Sequence, residues 1–453
     1  MEHIFRAYDI RGIFNKEFYA ENAATIGTAF GTYLGGEGKV LVGMDSRVTS
    51  SIIERAFCSG LASTGIDVYS TGVVPIPVAN FKTMKGDFKA GAYITASHNP
   101  PEYNGIRFRR SDGTGYTEEN EEIKKIFFSG KFKTANWNRV GGLFTISPES
   151  TLKEYEEYLL PRFSPERSLK VIIDSGNGTA SLTSPYLFRK LGFDVRTLNA
   201  QPDGTFPGRP NEPKEENLKD LMLSVREMKS DFGIAYDGDA DRVVFIDDLG
   251  RVVQNEKIGI IVAREILREK GSGTVVANVE CSSIVEEEIS RAGGEVARVR
   301  VGDVFVCDAI KRYSAIFAME TSAHYFYPDF YYFDDPLVVS LKLAEILSKK
   351  DKKLSKMADD ISSYPKAHEN YSCKDSIKFR VIEKIIEKFR ARGYRIDITD
   401  GARVEFDDGW ALLRASNTTP LIRATVEARN EERLREFTRM VRDIFEDAKK
   451  EIE

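Results

Sequence analysis

Three times along this chain the same pattern recurs: an apolar run, a polar loop, an amphipathic stretch with a glycine after it, and a second apolar run. It appears from Lys39 as KVLVGMDSRVTSSIIERAFCSGLASTGIDVYSTG, from Lys170 as KVIIDSGNGTASLTSPYLFRKLGFDVRTLN, and from Thr274 as TVVANVECSSIVEEEISRAGGEVARVR. Each reads as strand, helix, strand, and a helical crossover of this length implies that the two strands run parallel. In the first copy Ile52, Ile53, Ala56, Phe57 and Leu61 share one helical face, with Thr49 or Ser50 expected as the cap. After each unit comes a further buried strand that ends in polar residues: AGAYITASHN, DFGIAYDGDADR and AIFAMETSAH. In open parallel sheets, ligands gather beyond the carboxyl ends of the strands, where polar loops cost no core.

The tail differs. ARVEFDDGWALLRAS predicts a hairpin about Asp408-Gly409, LIRATVEA a strand, and Leu434, Phe437, Met440, Val441, Ile444 and Phe445 one apolar face of a closing helix. The expected fold is therefore α/β: three similar α/β domains with mixed, partly parallel sheets, plus a C-terminal α+β domain. The expected divisions are 1–145, 146–250, 251–365 and 366–453.

The 453 residues, 42% of them hydrophobic, suffice for several separate cores. A net charge of -5, from 65 basic and 70 acidic residues, gives no general attraction to nucleic acid or to anionic membranes, so any anion site must be local. No stretch has the apolar length to span a bilayer, and MEHIFRAYDIRG lacks a signal pattern, so a cytoplasmic protein is expected. Cys58, Cys281, Cys307 and Cys373 form no CxxC pair and read as buried, reduced thiols.

The loops carry the chemistry. DGDADR sets Asp237, Asp239 and Asp241 at alternate positions between two apolar runs. Three carboxylates this close repel unless a cation joins them, and hard oxygen ligands suit Mg²⁺ or Ca²⁺. An EF-hand is a poor match: Arg242 stands where its glycine belongs, Asp248 where its glutamate belongs, and strands flank the loop. A solvated acidic turn is the plainer alternative. TASHNP holds out Thr95, Ser97, His98 and Asn99. If Ser97 carries a phosphoryl group, its oxygens would join the metal; otherwise the stretch is an ordinary Asn-Pro turn. METSAH offers Glu320, Ser322 and His324, a set suited to sugar hydroxyls or simply to a strand-end turn. RASNTTPLIR gathers Arg414, Ser416, Asn417, Thr418 and Thr419 into a phosphate cradle or a capping turn. FRAYDIRG, with Arg6 and Arg11 around Tyr8 and Asp9, reads as readily as an ion-paired turn as an active-site edge.

Taken in order, FRAYDIRG, VGMDSR, TASHNPPEYNGIRF, PDGTFPGRPNEPKEENL, DGDADR, VGD, METSAH and RASNTTP resemble the α-D-phosphohexomutase family, the phosphomannomutases and phosphoglucomutases, over nearly the whole chain. The resemblance implies four domains around a central cleft. It implies Ser97 as a phosphoserine that also joins Asp237, Asp239 and Asp241 on Mg²⁺, Glu320 and Ser322 on sugar hydroxyls, and the Arg414, Ser416, Asn417 and Thr418 loop on the substrate phosphate. Tyr8, Arg242 and His324 are expected at the substrate as well. The implied reaction moves a phosphoryl group between C1 and C6 of a hexose phosphate through a hexose 1,6-bisphosphate.

Two features depart from the family pattern. Arg107 stands where many members have lysine, and a guanidinium cannot readily act as a base. His98 is then the substitute base, with Arg11 and Arg107 stabilising charge. Met319, Thr321 and Ala323 replace commoner residues of the sugar loop, while Ser322, His324 and the Tyr8-Asp9 opening resemble mannose or glucose enzymes. A phosphoglucosamine mutase, or a noncatalytic sugar-phosphate binder, is the alternative.

Overall fold

A computed structural model of the chain describes residues 1–6, 8–416 and 420–453. It has two compact units, one formed by Met1–Glu265 with Ser322–Ala358, the other by Ile266–Thr321 with Asp359–Glu453.

The first unit holds two mixed sheets. One has strand order Ile10–Ile13, Tyr103–Arg110, Ala90–Ile94, Lys39–Met44, Asp67–Val73, Leu143–Thr145. The other runs Val252–Val253, Val243–Ile246, Phe232–Tyr236, Lys170–Asp174, Asp194–Leu198. In the second unit Glu295–Val299, Thr274–Asn278 and Phe317–Met319 lie side by side and parallel. The three repeats thus share one plan: the first strand of each crossover pairs in parallel with the second on one side and with the later polar-tipped strand on the other. Ala90–Ile94 and Phe232–Tyr236 are buried throughout, so only the residues that follow them are free to be polar without cost.

In the first repeat the helix Ser50–Ala62 packs along Ala20–Tyr33 so closely that a Cβ on Gly60 would lie 1.9 Å from the Ala24 carbonyl oxygen. A Cβ on Gly27 would lie 2.1 Å from that of Phe57. Gly60→Val is therefore expected to lower stability by about 3 kcal/mol or more, the upper end of overpacking costs, read as a lower melting temperature. Thr49 holds the expected N-cap position but makes no side-chain capping bond: its hydroxyl and that of Ser50 accept from the Asn104 amide at 2.9 Å each, and Ser50 Oγ donates to Asp45 at 2.5 Å.

The last 88 or so residues of the sequence form the antiparallel sheet Lys366–Ser372, Leu421–Ala428, Gly409–Ala415, Ala402–Phe406, Arg395–Asp397. Phe406 pairs with Gly409, so the hairpin turns on Asp407-Asp408, one residue earlier than expected. The helix Glu431–Ile452 covers the sheet with Leu434, Phe437, Val441, Ile444 and Phe445 buried, and Phe406 stacks on Phe437 at 4.1 Å. Lys378–Ala391 packs beside it. All four cysteines are buried free thiols, Cys58 in the first unit and Cys281, Cys307 and Cys373 in the second. Among the described residues no helix is long and apolar enough to cross a membrane.

Candidate active site

The strand Ala90–Ile94 delivers Ser97 to a buried turn, where it is 1% exposed and adopts a left-handed φ of 52°. Its backbone N–H donates to Thr95 Oγ1 at 2.8 Å. Thr95 Oγ1 in turn lies 2.8 Å from Asp45 Oδ2 and 3.0 Å from Asp239 Oδ2, which ties the serine turn to the acidic loop. Ser97 Oγ sits 3.2 Å from His98 Nδ1. Arg11 reaches the same turn, donating from Nη1 to the Ala96 carbonyl and to Asn99 Oδ1, both at 3.2 Å, while its Nε is held by Asp9 at 2.8 Å. The opening motif is thus an ion-paired turn and an edge of the serine loop at once. Tyr8 is half-buried beside it.

The strand Phe232–Tyr236 delivers Asp237, Asp239 and Asp241, all at most 1% exposed. Ala240 takes a left-handed φ of 64° among them, which bends the loop. One carboxylate oxygen from each aspartate lies within 4.8 Å of the other two. Asp237 Oδ1 accepts from the Asp241 and Arg242 amides at 3.2 Å each, and Arg107 Nη1 donates to Asp241 Oδ2 at 2.7 Å. Among the described residues no hydrogen-bond donor reaches Asp237 Oδ2, Asp239 Oδ1 or Asp241 Oδ1. Three buried, undonated carboxylate oxygens would be costly on their own, and a hard divalent cation is what such a set fits. Burial, with Asp241 and Asp239 alongside, raises the Asp237 carboxyl well above the ordinary range. Burial and Asp241 push Asp239 up to about 6. Burial acts upward on Asp241 too, but His324, Arg107 and Arg242 outweigh it and hold that carboxyl well below the usual range.

Arg242 Nε lies 3.3 Å from His324 Nε2, and His324 Nδ1 lies 2.9 Å from Ser322 Oγ. Asp334 is buried with Asp241 and His324. His98 is pushed down to about 2 by burial and by Arg242 and Arg11, so its imidazole is neutral. The first unit thereby brings together Ser97, His98, Arg11, Arg107, the three aspartates, Arg242, Ser322 and His324.

In the second unit Glu320 follows the strand Phe317–Met319 and is 1% exposed, its Oε1 accepting from Asn278 Nδ2 at 3.1 Å and from the Gly302 amide at 3.0 Å. Arg414 lies between two carboxylates, Glu280 Oε1 at 3.1 Å and Asp400 Oδ2 at 3.4 Å. Ser416 accepts at its carbonyl from Lys378 Nζ at 2.5 Å. Asn417, Thr418 and Thr419 lie outside the described residues. Glu280, Asp400, Asp45, Arg47 and Asn211 were not singled out by sequence reasoning. VGMDSR and the PNEP stretch were the available signals for the last three.

Models of all four domains of the phosphoglucomutase/phosphomannomutase family match the chain: α/β/α domain I over residues 2–134, α/β/α domain II over 153–250, α/β/α domain III over 254–364 and the C-terminal domain over 370–444. The chain belongs to the α-D-phosphohexomutase family. It is 40% identical to a phosphoglucomutase/phosphomannomutase of Thermococcus kodakarensis, covering 99% of this chain and 100% of that one. It is also 40% identical to a "probable phosphoglucosamine mutase" of Methanopyrus kandleri, over 99% and 98%. A crystal structure of a phosphoglucomutase/phosphomannomutase family protein from Burkholderia thailandensis superposes with a TM-score of 0.90 at 28% identity, covering 99% of this chain and 98% of that one.

Proposed function

We propose that this enzyme interconverts the 1- and 6-phosphates of mannose or glucose, with Ser97 as the phosphoryl carrier and a hexose 1,6-bisphosphate as the intermediate that reverses its orientation. The observation that carries the reading is the pairing of a buried, left-handed serine with three carboxylate oxygens that no donor among the described residues reaches, linked through Thr95 and Asp239. Ser97, Asp237, Asp239 and Asp241 would hold Mg²⁺. Bound there, the ion neutralises charge on the phosphoryl group.

The chain's own residues supply the rest. Phosphoryl transfer depends chiefly on placement and electrostatics. Arg107 is fixed as a cation by Asp241, and with Arg11 it stabilises charge beside the serine; it does not take the proton of the attacking hydroxyl. His98 lies 3.2 Å from Ser97 Oγ, but burial, Arg242 and Arg11 disfavour its protonation so strongly that we assign it a hydrogen-bonding role at the serine and not that of the base. Ser322 Oγ, 2.9 Å from His324 Nδ1, is placed to bond a sugar oxygen. Tyr8, Arg242 and Glu320 complete the sugar contacts, and Arg414, Ser416, Asn417 and Thr418 hold the phosphate that is not being transferred. On this reading residues 1–145 carry the phosphoserine, 146–250 the metal loop, 251–365 the sugar loop and 366–453 the phosphate loop, in a cytoplasmic enzyme.

A second reading, glucosamine phosphate as substrate, is favoured by the name of the Methanopyrus kandleri relative. Initial rates with the 1-phosphates of mannose, glucose and glucosamine, primed by the matching bisphosphate, separate the two. Mannose or glucose is expected to exceed glucosamine in kcat/KM by about tenfold, a difference of ~1.4 kcal/mol in transition-state binding. The reverse ranking would establish the aminosugar enzyme, and binding of all three without turnover would leave only a sugar-phosphate binder.

A further inference from the structure

The turn that carries Ser97 rests on a buried arginine. Arg47 is 3% exposed and donates from Nη2 to the Ser97 carbonyl at 2.7 Å and the Asn99 carbonyl at 2.6 Å, and from Nη1 to the Pro100 carbonyl at 2.6 Å and the Tyr103 carbonyl at 3.0 Å. Its Nε is anchored on Asp45 Oδ2 at 2.9 Å. One planar guanidinium thus gathers four carbonyls of the stretch 97–103, a task for a rigid fork of donors that a lysine ammonium cannot reproduce.

The Ser97 carbonyl has a second donor, from the other sheet's side of the same unit. Asn211 Nδ2 reaches it at 2.6 Å, from a side chain only 5% exposed. The carboxamide of Asn211 lies against the acidic loop: a Cβ on Gly238 would fall 2.5 Å from Asn211 Oδ1. The stretch leading to Asn211 also covers the arginine, with the Phe206 ring centred 5.2 Å from the Arg47 guanidinium carbon. Both lone pairs of the Ser97 carbonyl are therefore engaged, one by a charged donor and one by an amide that touches the loop of the three aspartates.

A left-handed serine is strained against an ordinary conformation, and charge-assisted bonds at its carbonyl offset that strain. They act on the main chain alone, so they leave Oγ clear. We propose that Arg47 and Asn211 are positioning residues for phosphoryl transfer, clamping the Ser97 carbonyl so that Oγ keeps one position relative to the acidic loop whether or not it carries phosphate. The clamp rests on the reading of Ser97 as the carrier. It gives VGMDSR and PNEP, which contact no substrate in that reading, a part in the reaction.

The test compares Arg47→Lys and Asn211→Ala with the unsubstituted full chain. Three quantities are measured: the melting temperature, the phosphate content of residue 97 by peptide mass after treatment with glucose 1,6-bisphosphate, and kcat and KM for glucose 1-phosphate. Each variant is expected to fold and to accept phosphate. Its kcat per phosphorylated chain should fall by roughly 10- to 100-fold with KM within about threefold, the signature of a reacting atom misplaced by about 1 Å. Unchanged kcat per phosphorylated chain overturns the proposal, as does a loss confined to KM. Should Arg47→Lys fail to fold, Asn211→Ala, which keeps Arg47, decides the matter by the same two criteria. A turning-over unsubstituted enzyme with no phosphate on residue 97 at any stage would overturn the carrier reading itself, a result independent of either variant.

Discussion

Ser97→Ala is expected to lose turnover by about 10⁴-fold or more, the scale on which deleting a covalent nucleophile acts. The expectation is specific because little else at the turn changes. The Ser97 amide and carbonyl make the bonds to Thr95, Arg47 and Asn211, and alanine retains all of them. Only the contact of Oγ with His98 disappears. Substrate binding should therefore persist, and a melting temperature close to that of the unsubstituted chain would show that the loss is chemical. Mass spectrometry should find phosphate on the peptide containing residue 97 in the active enzyme and none there in the variant. Normal turnover by Ser97→Ala would remove the carrier mechanism altogether.

The second large effect concerns the acidic loop, and it has opposite signs with and without a divalent ion. Chelation is expected to lower kcat by about 10³-fold, equivalent to several kcal/mol of lost charge stabilisation. Adding Mg²⁺ should raise the melting temperature, since an ion held at 100 times its dissociation constant stabilises the folded state by about 2.7 kcal/mol. Asp237→Asn keeps an oxygen for the Asp241 and Arg242 amides and turns an N–H₂ toward the other two carboxylates in place of the undonated Oδ2. Without added ion, at a pH alkaline enough to ionise Asp237, this variant should melt above the unsubstituted protein, because a buried like charge has been replaced by a donor. With Mg²⁺ the order should reverse. A variant that melts lower in both conditions, or an unsubstituted chain whose melting is indifferent to divalent ions, would show that the triplet is structural.

Much of this was legible in the sequence because the physics that writes it is local. A buried parallel strand needs an uninterrupted apolar run, and its carboxyl end is where polar residues cost nothing, so VIID, FGIAY and GAYI announced both the sheets and the loops. Lys366–Ser372 gave no such sign: as an edge strand with only Tyr371 buried and a run of mostly polar residues, it reads like a loop. The functional side chains that were missed have a common character. Arg47 and Asn211 bond to backbone carbonyls, and carbonyls are the same in every residue, so no pattern of types betrays the partner. Glu280 and Asp400 meet Arg414 from far away in the chain, 134 and 14 residues off, and only the folded second unit makes them neighbours. The capping bond expected from Thr49 or Ser50 is missing for a related reason, since Asn104, more than fifty residues on, bonds both hydroxyls.

The four hidden thiols have a use that has nothing to do with turnover. A maleimide added to the native chain meets no accessible sulfur, so labelling must wait for a spontaneous opening, and its rate clocks that opening. With Cys58 on one side of the division and Cys281, Cys307 and Cys373 on the other, a mass gain of a single adduct or of three tells which half came apart first.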